Sequence, residues 1–143
     1  RDFVVGMCAV LPRQKNPLQL VEAIARLRAR GIPARALLIG DGAERGRVEA
    51  RARALGLAGD VVVTGYQQDV RPLIGACDAM ALCSTAVETF SLAALEAMAL
   101  ARPVVHARLG GAARTRGHSL AAEVDGAARE REVWSELSQV RTR

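Results

Sequence analysis

Two glutamates lie in the otherwise apolar stretch ETFSLAALEAMALARPVV, which covers residues 88–105. Glu88 and Glu96 are eight residues apart, which is about 12 Å along the axis of a helix that rises about 1.5 Å per residue. An ionised carboxylate among apolar residues needs hydrogen-bond donors. A structural arginine could supply them, and so could the hydroxyl groups of a ligand. Both alternatives are open from the residues alone.

The residues between these glutamates predict the start of a helix. The free N–H groups near Phe90, Ser91 and Leu92 would form an anion site at the helix N-terminus. A helical projection centred on Leu92 places Glu96 on or beside the apolar face. The order of hydroxyl acceptor, phosphate-binding helix end and hydroxyl acceptor matches a ligand with a sugar, a diphosphate and a ribose. A purely structural role for Glu88 near the positive end of the helix dipole is the alternative.

Five short apolar runs alternate with helical patterns along the chain. The predicted strands cover residues 3–10, 35–40, 60–65, 78–83 and 103–107. Continuous apolar strands alternating with helices predict an α/β fold, a Rossmann-like doubly wound parallel sheet of about five strands with helices on both faces. Ligands of such sheets bind outside the carboxyl ends of the strands. We therefore expect functional residues in the loops 10–15, 40–42, 65–68, 84–91 and 106–111.

The pattern weakens towards the end of the chain. The length of 143 residues fits one domain, and residues 112–118 show no periodicity. From Ser119, apolar residues that include Leu120, Val124, Trp134 and Leu137 recur at helical spacing. We expect residues 114–143 to be a divergent segment with a terminal helix packed on the same domain. His106 and His118 show no spacing typical of a catalytic triad.

The composition excludes some classes of protein. Nineteen arginines and one lysine against fifteen acids give a net charge of +5, but no basic run. With an aromatic content of only 3%, this argues against a nucleic-acid-binding surface. Phosphates or a lipid headgroup surface remain possible anionic partners. Three cysteines in apolar stretches predict core residues in a reducing compartment, and no secretory or membrane-spanning run is present. We expect a cytoplasmic location, with the inner face of the membrane as an alternative.

Several motifs occur together in a recognisable order. SxxxETFSLAALEAMAxxxPVV followed by GG resembles the Glu-x7-Glu signature of the GT-B glycosyltransferases of family 4. The segments VVGMCAVLPRQKNPLQLVEAIARL and LLIGDGAERGRVEARARALGLAGDVVVTGYQQDV resemble the C-terminal donor-binding domain of that family in the same order. The resemblance covers residues 3–113 and implies that residues 1–113 form a domain that binds a nucleotide sugar.

The resemblance implies roles for individual residues. Glu88 would contact the donor sugar and Glu96 would hold the ribose hydroxyls. Backbone amides around Phe90, Ser91 and Leu92 would meet the phosphates. The resemblance also implies that Lys15 neutralises the departing diphosphate, which makes Glu88 and Lys15 the candidate catalytic residues. The candidates for contact with the base are Gly40, Asp41, Gly42, Gly65 and Tyr66. No metal and no cofactor are implied besides the nucleotide-diphosphate sugar that acts as donor substrate.

The chain departs from the family pattern at three places. Val10 stands where the family usually has an arginine, and Arg13 is the candidate to replace it. Ala101 replaces a glycine before PVV, and Arg114 stands where a glutamate is expected after GG. From Ala112 onwards the sequence resembles nothing in the family, so the strand that normally follows GG has no counterpart.

These observations predict a fragment of a larger enzyme. The resemblance implies the donor-binding domain of a retaining enzyme that transfers a hexose to a carbohydrate or lipid-linked acceptor. The N-terminal domain that binds the acceptor in such enzymes is missing, so the isolated chain is expected to bind nucleotide weakly if at all and to transfer no sugar. A non-catalytic nucleotide-binding or interaction module is the alternative, suggested by Val10 and the divergent tail. A GT-B-type epimerase fits less well, because its motifs lack ETFSLAALEAMA.

Overall fold

The computed structural model describes residues 1–85, 91–107 and 121–124. For residues 106–107 and 121–124 it describes the backbone only. This part of the chain contains strands that alternate with helices. The strands are β1 (Phe3–Cys8), β2 (Ala34–Ile39), β3 (Val61–Val63), β4 (Ala79–Leu82), β5 (Val104–Ala107) and β6 (Ala121–Val124), and the helices are α1 (Pro17–Ala29), α2 (Arg45–Ala54), α3 (Arg71–Ala76) and α4 (Leu92–Ala99).

The strands form one parallel sheet in the order β3-β2-β1-β4-β5-β6. This confirms the predicted doubly wound α/β class, and each of the five predicted strands is present. The strand order reverses between β1 and β4, where Val5 pairs with Ala79. Neighbouring loops diverge at such a switch point, so a crevice opens there.

The sixth strand corrects two predictions for the tail: that the strand following GG has no counterpart, and that a helix begins at Ser119. Ala121–Val124 pairs in parallel with β5, Val104 facing Ala121, so the predicted helix is wrong for these four residues. Alanine has a high helix propensity, but the open edge of β5 offers backbone hydrogen-bond partners to a strand. A propensity, which depends only on residue type, does not take these partners into account. The rest of the predicted helix, with Trp134 and most of the segment 114–143, lies outside the described residues.

The sheet is buried on both faces. Alternate residues of β4 point to opposite sides, with Ala79 and Ala81 in the cluster beneath α1 and α2, and Met80 and Leu82 in the cluster beneath α3 and α4. Helix α1 shows how the sequence builds these layers. It begins at Pro17, which fixes a helical φ and needs no N–H partner. Its buried face includes Leu20, Ile24 and Leu27. No helix in the described residues is long and apolar enough to cross a membrane.

Helix α4 packs on the sheet through its alanines. Ala94 and Ala97 are buried, whereas Leu92 is 69% exposed and Glu96 is also exposed. The predicted apolar face centred on Leu92 is therefore wrong, and Glu96 lies on the solvent face. Small side chains let a helix approach a sheet closely, so the face of α4 that packs on the sheet is formed by alanines and not by the larger Leu92. The start of α4 is well defined, because the Oγ of Ser91 accepts a hydrogen bond from the N–H of Ala94 at 3.2 Å.

Two of the three cysteines are core residues, as predicted. Cys77 and Cys83 are buried and unpaired. Burial raises the pKa of Cys77 to about 11, with a further contribution from Asp78, and raises the pKa of Cys83 to about 12. Both thiols therefore stay protonated at neutral pH and act as small apolar groups.

Candidate functional site

A cleft of about 410 Å³ opens at the switch point of the sheet. One wall is the loop after β1, and the other combines the end of β4 with the first turn of α4. The lining residues that carry the chemistry discussed below are Cys8, Val10, Gln14, Lys15, Ser84, Ser91, Leu92 and Ala93. The cleft therefore brings together residues from segments that are far apart in the sequence.

Lys15 is presented to this cleft by a short turn. Arg13–Lys15 forms a 3₁₀ turn that ends at Asn16 in a left-handed conformation, φ 48°. Thr85, after β4, holds the turn in place, since its N–H and Oγ1 both donate to the carbonyl of Gln14, at 2.8 and 3.2 Å. Lys15 is half-buried and lines the cleft, whereas Arg13 is exposed and lies outside the lining.

The N-terminus of α4 faces the same cleft. Ser91 is buried there, and Leu92 and Ala93 line the wall. The first turn of an α-helix carries N–H groups without intrahelical acceptors and a partial positive charge. Together with Lys15, this makes the cleft suited to an anion such as a phosphate. The other predicted residues of this stretch, Glu88 and Phe90, lie outside the described residues.

Glu96 lies one turn further along α4, outside the lining of the cleft. None of the ion pairs between described residues includes it. Its charge nevertheless reaches Cys8 at the end of β1, where burial first and Glu96 second raise the pKa of the thiol.

A second cleft of about 350 Å³ adjoins the first. Its lining comes from the ends of three neighbouring strands. Residues 8–10 lie at the end of β1, residues 39–41 at the end of β2, and residues 66–67 follow β3. Because Cys8, Ala9 and Val10 line both clefts, the two are continuous. They form one groove that can hold an extended ligand with its phosphates at α4 and another group above β2.

The second cleft has a small number of polar groups. Asp41 accepts hydrogen bonds from the N–H of Gly42 and from Arg45, both at 2.9 Å. The Gly42 N–H, followed by the Arg45 guanidinium, lowers the pKa of Asp41, so the carboxylate is an acceptor at neutral pH. Nearby, the Nε2 of Gln67 donates to the carbonyl of Thr64 at 3.3 Å. The rest of the lining is mainly apolar.

The glycines at this cleft serve the packing of loops. A Cβ on Gly40 (φ 139°) would lie 2.0 Å from the carbonyl oxygen of Ala9, and one on Gly42 would lie 2.8 Å from the N of Leu11. The same loops are joined by a hydrogen bond from the N–H of Leu11 to the carbonyl of Asp41 at 2.9 Å. Of the predicted base-site residues, Gly40, Asp41 and Tyr66 line the cleft, whereas Gly42 and Gly65 are not among its lining residues.

Sequence reasoning gave no individual role to four residues at the groove, although three of them, Gln67, Ser84 and Thr85, lie in loops that were predicted to be functional. Cys8 was predicted as core but lines both clefts, and Gln67 and Ser84 are further lining residues. Thr85 fixes the turn that carries Lys15. Cys8 was identifiable in principle, since it ends the strand next to the switch point. Among the described residues, no group of three histidine, cysteine or acidic side chains comes together to hold a metal.

The profile of the family "Glycosyl transferases group 1" matches residues 2–132. The chain belongs to this family of GT-B enzymes. The match corrects the prediction that the sequence from Ala112 resembles nothing in the family.

Individual relatives agree with this classification. The lipopolysaccharide core biosynthesis glycosyltransferase LpsE of Rhizobium meliloti is 39% identical over 93 residues, which are 64% of this chain and 26% of that protein. A GDP-mannose-dependent α-(1-6)-phosphatidylinositol dimannoside mannosyltransferase of Mycobacterium tuberculosis is 35% identical over 104 residues, which are 71% of this chain and 26% of that protein. The chain thus spans about a quarter of the length of these curated relatives.

Solved structures share the architecture. HepE of Anabaena, solved in complex with UDP, matches with a TM-score of 0.85 and 28% identity, over 98% of this chain and 39% of that chain. The C-terminal domain of a group 1 family glycosyl transferase (LpcC) from Francisella tularensis matches with a TM-score of 0.82 and 20% identity, over 99% of this chain and 76% of that chain. The predicted fold, that of the C-terminal half of a GT-B enzyme, is confirmed.

Proposed function

We propose that this chain is the donor-binding half of a retaining glycosyltransferase. It binds a nucleotide-diphosphate sugar, from which the complete enzyme transfers a hexose to a carbohydrate or lipid-linked acceptor. The acceptor is held by an N-terminal domain on another segment of the enzyme. The isolated chain transfers no sugar, because transfer requires the domain that holds the acceptor.

The groove at the switch point is the observation that carries this proposal. Lys15 and the N-terminus of α4 lie on one cleft, and an adjoining cleft above β2 has room for a nucleobase. Two sources of positive charge at one end and a mostly apolar pocket at the other match the charge distribution of a nucleoside diphosphate. HepE of Anabaena, a structural relative, binds UDP, and the mycobacterial relative depends on GDP-mannose.

The residues of this chain would act mainly by electrostatics. Breaking the bond between the sugar and the diphosphate leaves negative charge on the departing nucleotide, and Lys15 with the first turn of α4 would stabilise that charge. Glu96 would accept hydrogen bonds from the ribose hydroxyls. Glu88 would contact the sugar. None of these steps requires a metal ion, and the enzyme would work in the cytoplasm or at the inner face of the membrane.

Calorimetric titration of the complete enzyme with UDP, GDP and ADP tests the proposal. We expect one of the three nucleotides to bind, and Glu96→Gln to weaken its binding at least tenfold, because charged acceptors make stronger hydrogen bonds than neutral ones. Glu22→Gln is the matched control, since Glu22 lies on α1 and pairs with Arg51 away from the groove. Absence of binding by all three nucleotides, or unchanged affinity in Glu96→Gln, would contradict the assignment.

A non-catalytic nucleotide-binding module is the second candidate. Val10 favours it, because this residue is 76% exposed in the groove at the position where related enzymes usually have an arginine. In that case the complete protein would bind a nucleotide but would not consume the corresponding nucleotide sugar. Measuring nucleotide release from each of the common nucleotide sugars in the presence of acceptor extracts distinguishes the two functions.

A further inference from the structure

The charged side chains that the structure describes fall into two unequal sets. One set lies at the end of the sheet opposite the groove, where the strands begin and helices α1 and α2 end. Its eight arginines, which we call the basic end, are Arg1, Arg26, Arg28, Arg30, Arg35, Arg51, Arg53 and Arg102. The acids beside them are Asp2, Glu22, Asp60 and Asp78. The other described side chains carry five cations and five acids, so the excess positive charge of this part of the chain lies at the basic end.

Ion pairs join the residues of the basic end into one surface. Asp60, which precedes β3, pairs with Arg28 at 3.2 Å and with Arg35 at 3.4 Å. These two pairs connect the last turn of α1 to the starts of β2 and β3. The other three acids are each paired with an arginine of the same set. Although every acid is paired, four positive charges remain in excess over the four acids.

Helix geometry explains only part of this arrangement. The last turns of α1 and α2 contain two arginines each, and cations there stabilise the negative end of a helix dipole. Arg1 and Arg35 lie at the starts of strands, where this explanation does not apply. All eight cations are arginines, whose guanidinium groups form paired hydrogen bonds with phosphate oxygens. The chemistry of the basic end therefore favours a partner that presents phosphate groups.

The basic end lacks the apolar residues by which folded proteins usually bind one another. Among the described residues, the exposed large hydrophobic side chains line the groove, apart from Val62 in the middle of β3. Protein interfaces depend on apolar or aromatic anchors at their centre. A layer of lipid headgroups needs no such anchor, because anionic lipids attract clustered basic residues by charge alone. We propose that the basic end docks on an anionic lipid surface.

This inference goes beyond the proposed function and needs no donor in the groove. Helix α1 has 13 residues, so roughly 20 Å separates its two ends at about 1.5 Å per residue. The distance is about twice the Debye length of ~10 Å in 0.1 M salt. Charges at the groove end are therefore screened from a lipid surface that the basic end contacts.

Cosedimentation with vesicles tests the docking. The 143-residue chain is mixed, without nucleotide, with vesicles of phosphatidylcholine that contain about one third phosphatidylglycerol. We expect it to bind these vesicles at about 50 mM salt and to be released at about 500 mM, because salt screens the attraction. Vesicles of phosphatidylcholine alone should not bind it.

Variants assign the binding to the basic end. Each arginine near an anionic surface should strengthen binding about fivefold, so Arg30→Gln/Arg53→Gln should weaken it about 25-fold. Arg30→Lys/Arg53→Lys keeps both charges, and its binding should stay within about threefold of the original. Arg47→Gln/Arg71→Gln is the matched control. It removes two exposed arginines from the first turns of α2 and α3, at the groove end, and should change binding less than about twofold.

Several results would overturn the docking. These are absence of binding to the mixed vesicles at low salt, an equal loss in the two glutamine variants, and an equal loss in the lysine variant, which would reflect folding instead of charge. Binding of polyglutamate but not of vesicles would overturn it in favour of an acidic protein partner. Because no nucleotide is present, failure here leaves the donor site unaffected. Conversely, failure of the nucleotide titration leaves the vesicle result unaffected.

Discussion

Gly40→Ala tests how the two loops that build the groove are packed. The backbone of Gly40 has φ 139°, a region that residues with a side chain rarely adopt, and a Cβ there would lie 2.0 Å from the carbonyl oxygen of Ala9. The carbonyl belongs to the backbone and the position of the Cβ is fixed by it, so neither group can rotate away as the end of a flexible side chain would. The loop after β1 or the end of β2 must move, and Val10 moves with it.

The expected magnitude follows from the two costs. A disfavoured backbone conformation costs about 1–3 kcal/mol, and displacing a packed loop adds a cost like that of overpacking, about 1–3 kcal/mol. We therefore expect Gly40→Ala to lower the free energy of unfolding by about 2–6 kcal/mol, a large part of the about 5–15 kcal/mol typical of a domain. Urea unfolding followed by circular dichroism measures this difference.

Gly46→Ala is the matched control for this experiment. Gly46 lies in α2, and a Cβ there would meet nothing within 4 Å. Replacing a glycine in a helix by alanine should stabilise the protein by about 0.5–1 kcal/mol. A Gly40→Ala variant that unfolds within about 0.5 kcal/mol of the original would refute the packing of these loops, and so would a Gly46→Ala variant that is equally destabilised.

Three further predictions concern charge in the groove. Lys15→Met should weaken binding of a nucleoside diphosphate about tenfold without changing the affinity for the nucleoside. Arg13→Met should change neither affinity. Calorimetry measures both affinities, and an equal loss in the two variants would contradict the different placement of the two cations. Glu96→Gln should speed the alkylation of Cys8 by iodoacetamide at pH 8, because the Glu96 charge raises the pKa of this thiol; an unchanged rate by mass spectrometry would argue against their proximity. The free energy of unfolding should fall as the pH rises above about 9. The thiols of the unfolded chain ionise in this range, whereas the folded protein keeps the protons of its two buried thiols up to pKa values of about 11 and about 12. The Cys77→Ala/Cys83→Ala double variant should lose this part of the pH dependence, and a fall of the same size in that variant would contradict it.

Much of the fold was predictable because it depends on local patterns. The five predicted strands are continuous apolar runs, and a strand buried on both faces requires such a run whatever its neighbours are. Alternation with helices then restricts the topology to a parallel sheet. The loops at the carboxyl ends of the strands followed from this topology, and with them the location of Lys15 and Ser91.

Other features depend on contacts that the sequence does not display. The buried face of α4 is set by Ala94 and Ala97, since close approach to the sheet favours small side chains over the leucines that a hydrophobic pattern emphasises. β6 forms because β5 has an open edge. Thr85 donates hydrogen bonds to the carbonyl of Gln14, and only folding brings these two residues together.

The sequence by itself determined the class of this protein. The order of apolar strands and helices is local information and was sufficient to predict a parallel α/β domain, whereas the Glu-x7-Glu spacing carried the resemblance to the family, which in turn implied donor binding. The tertiary structure decided how the groove is lined. It placed Val10 and Tyr66 in the lining of one cleft and Glu96 on the solvent face of α4, because side-chain placement depends on which surfaces meet when distant segments pack.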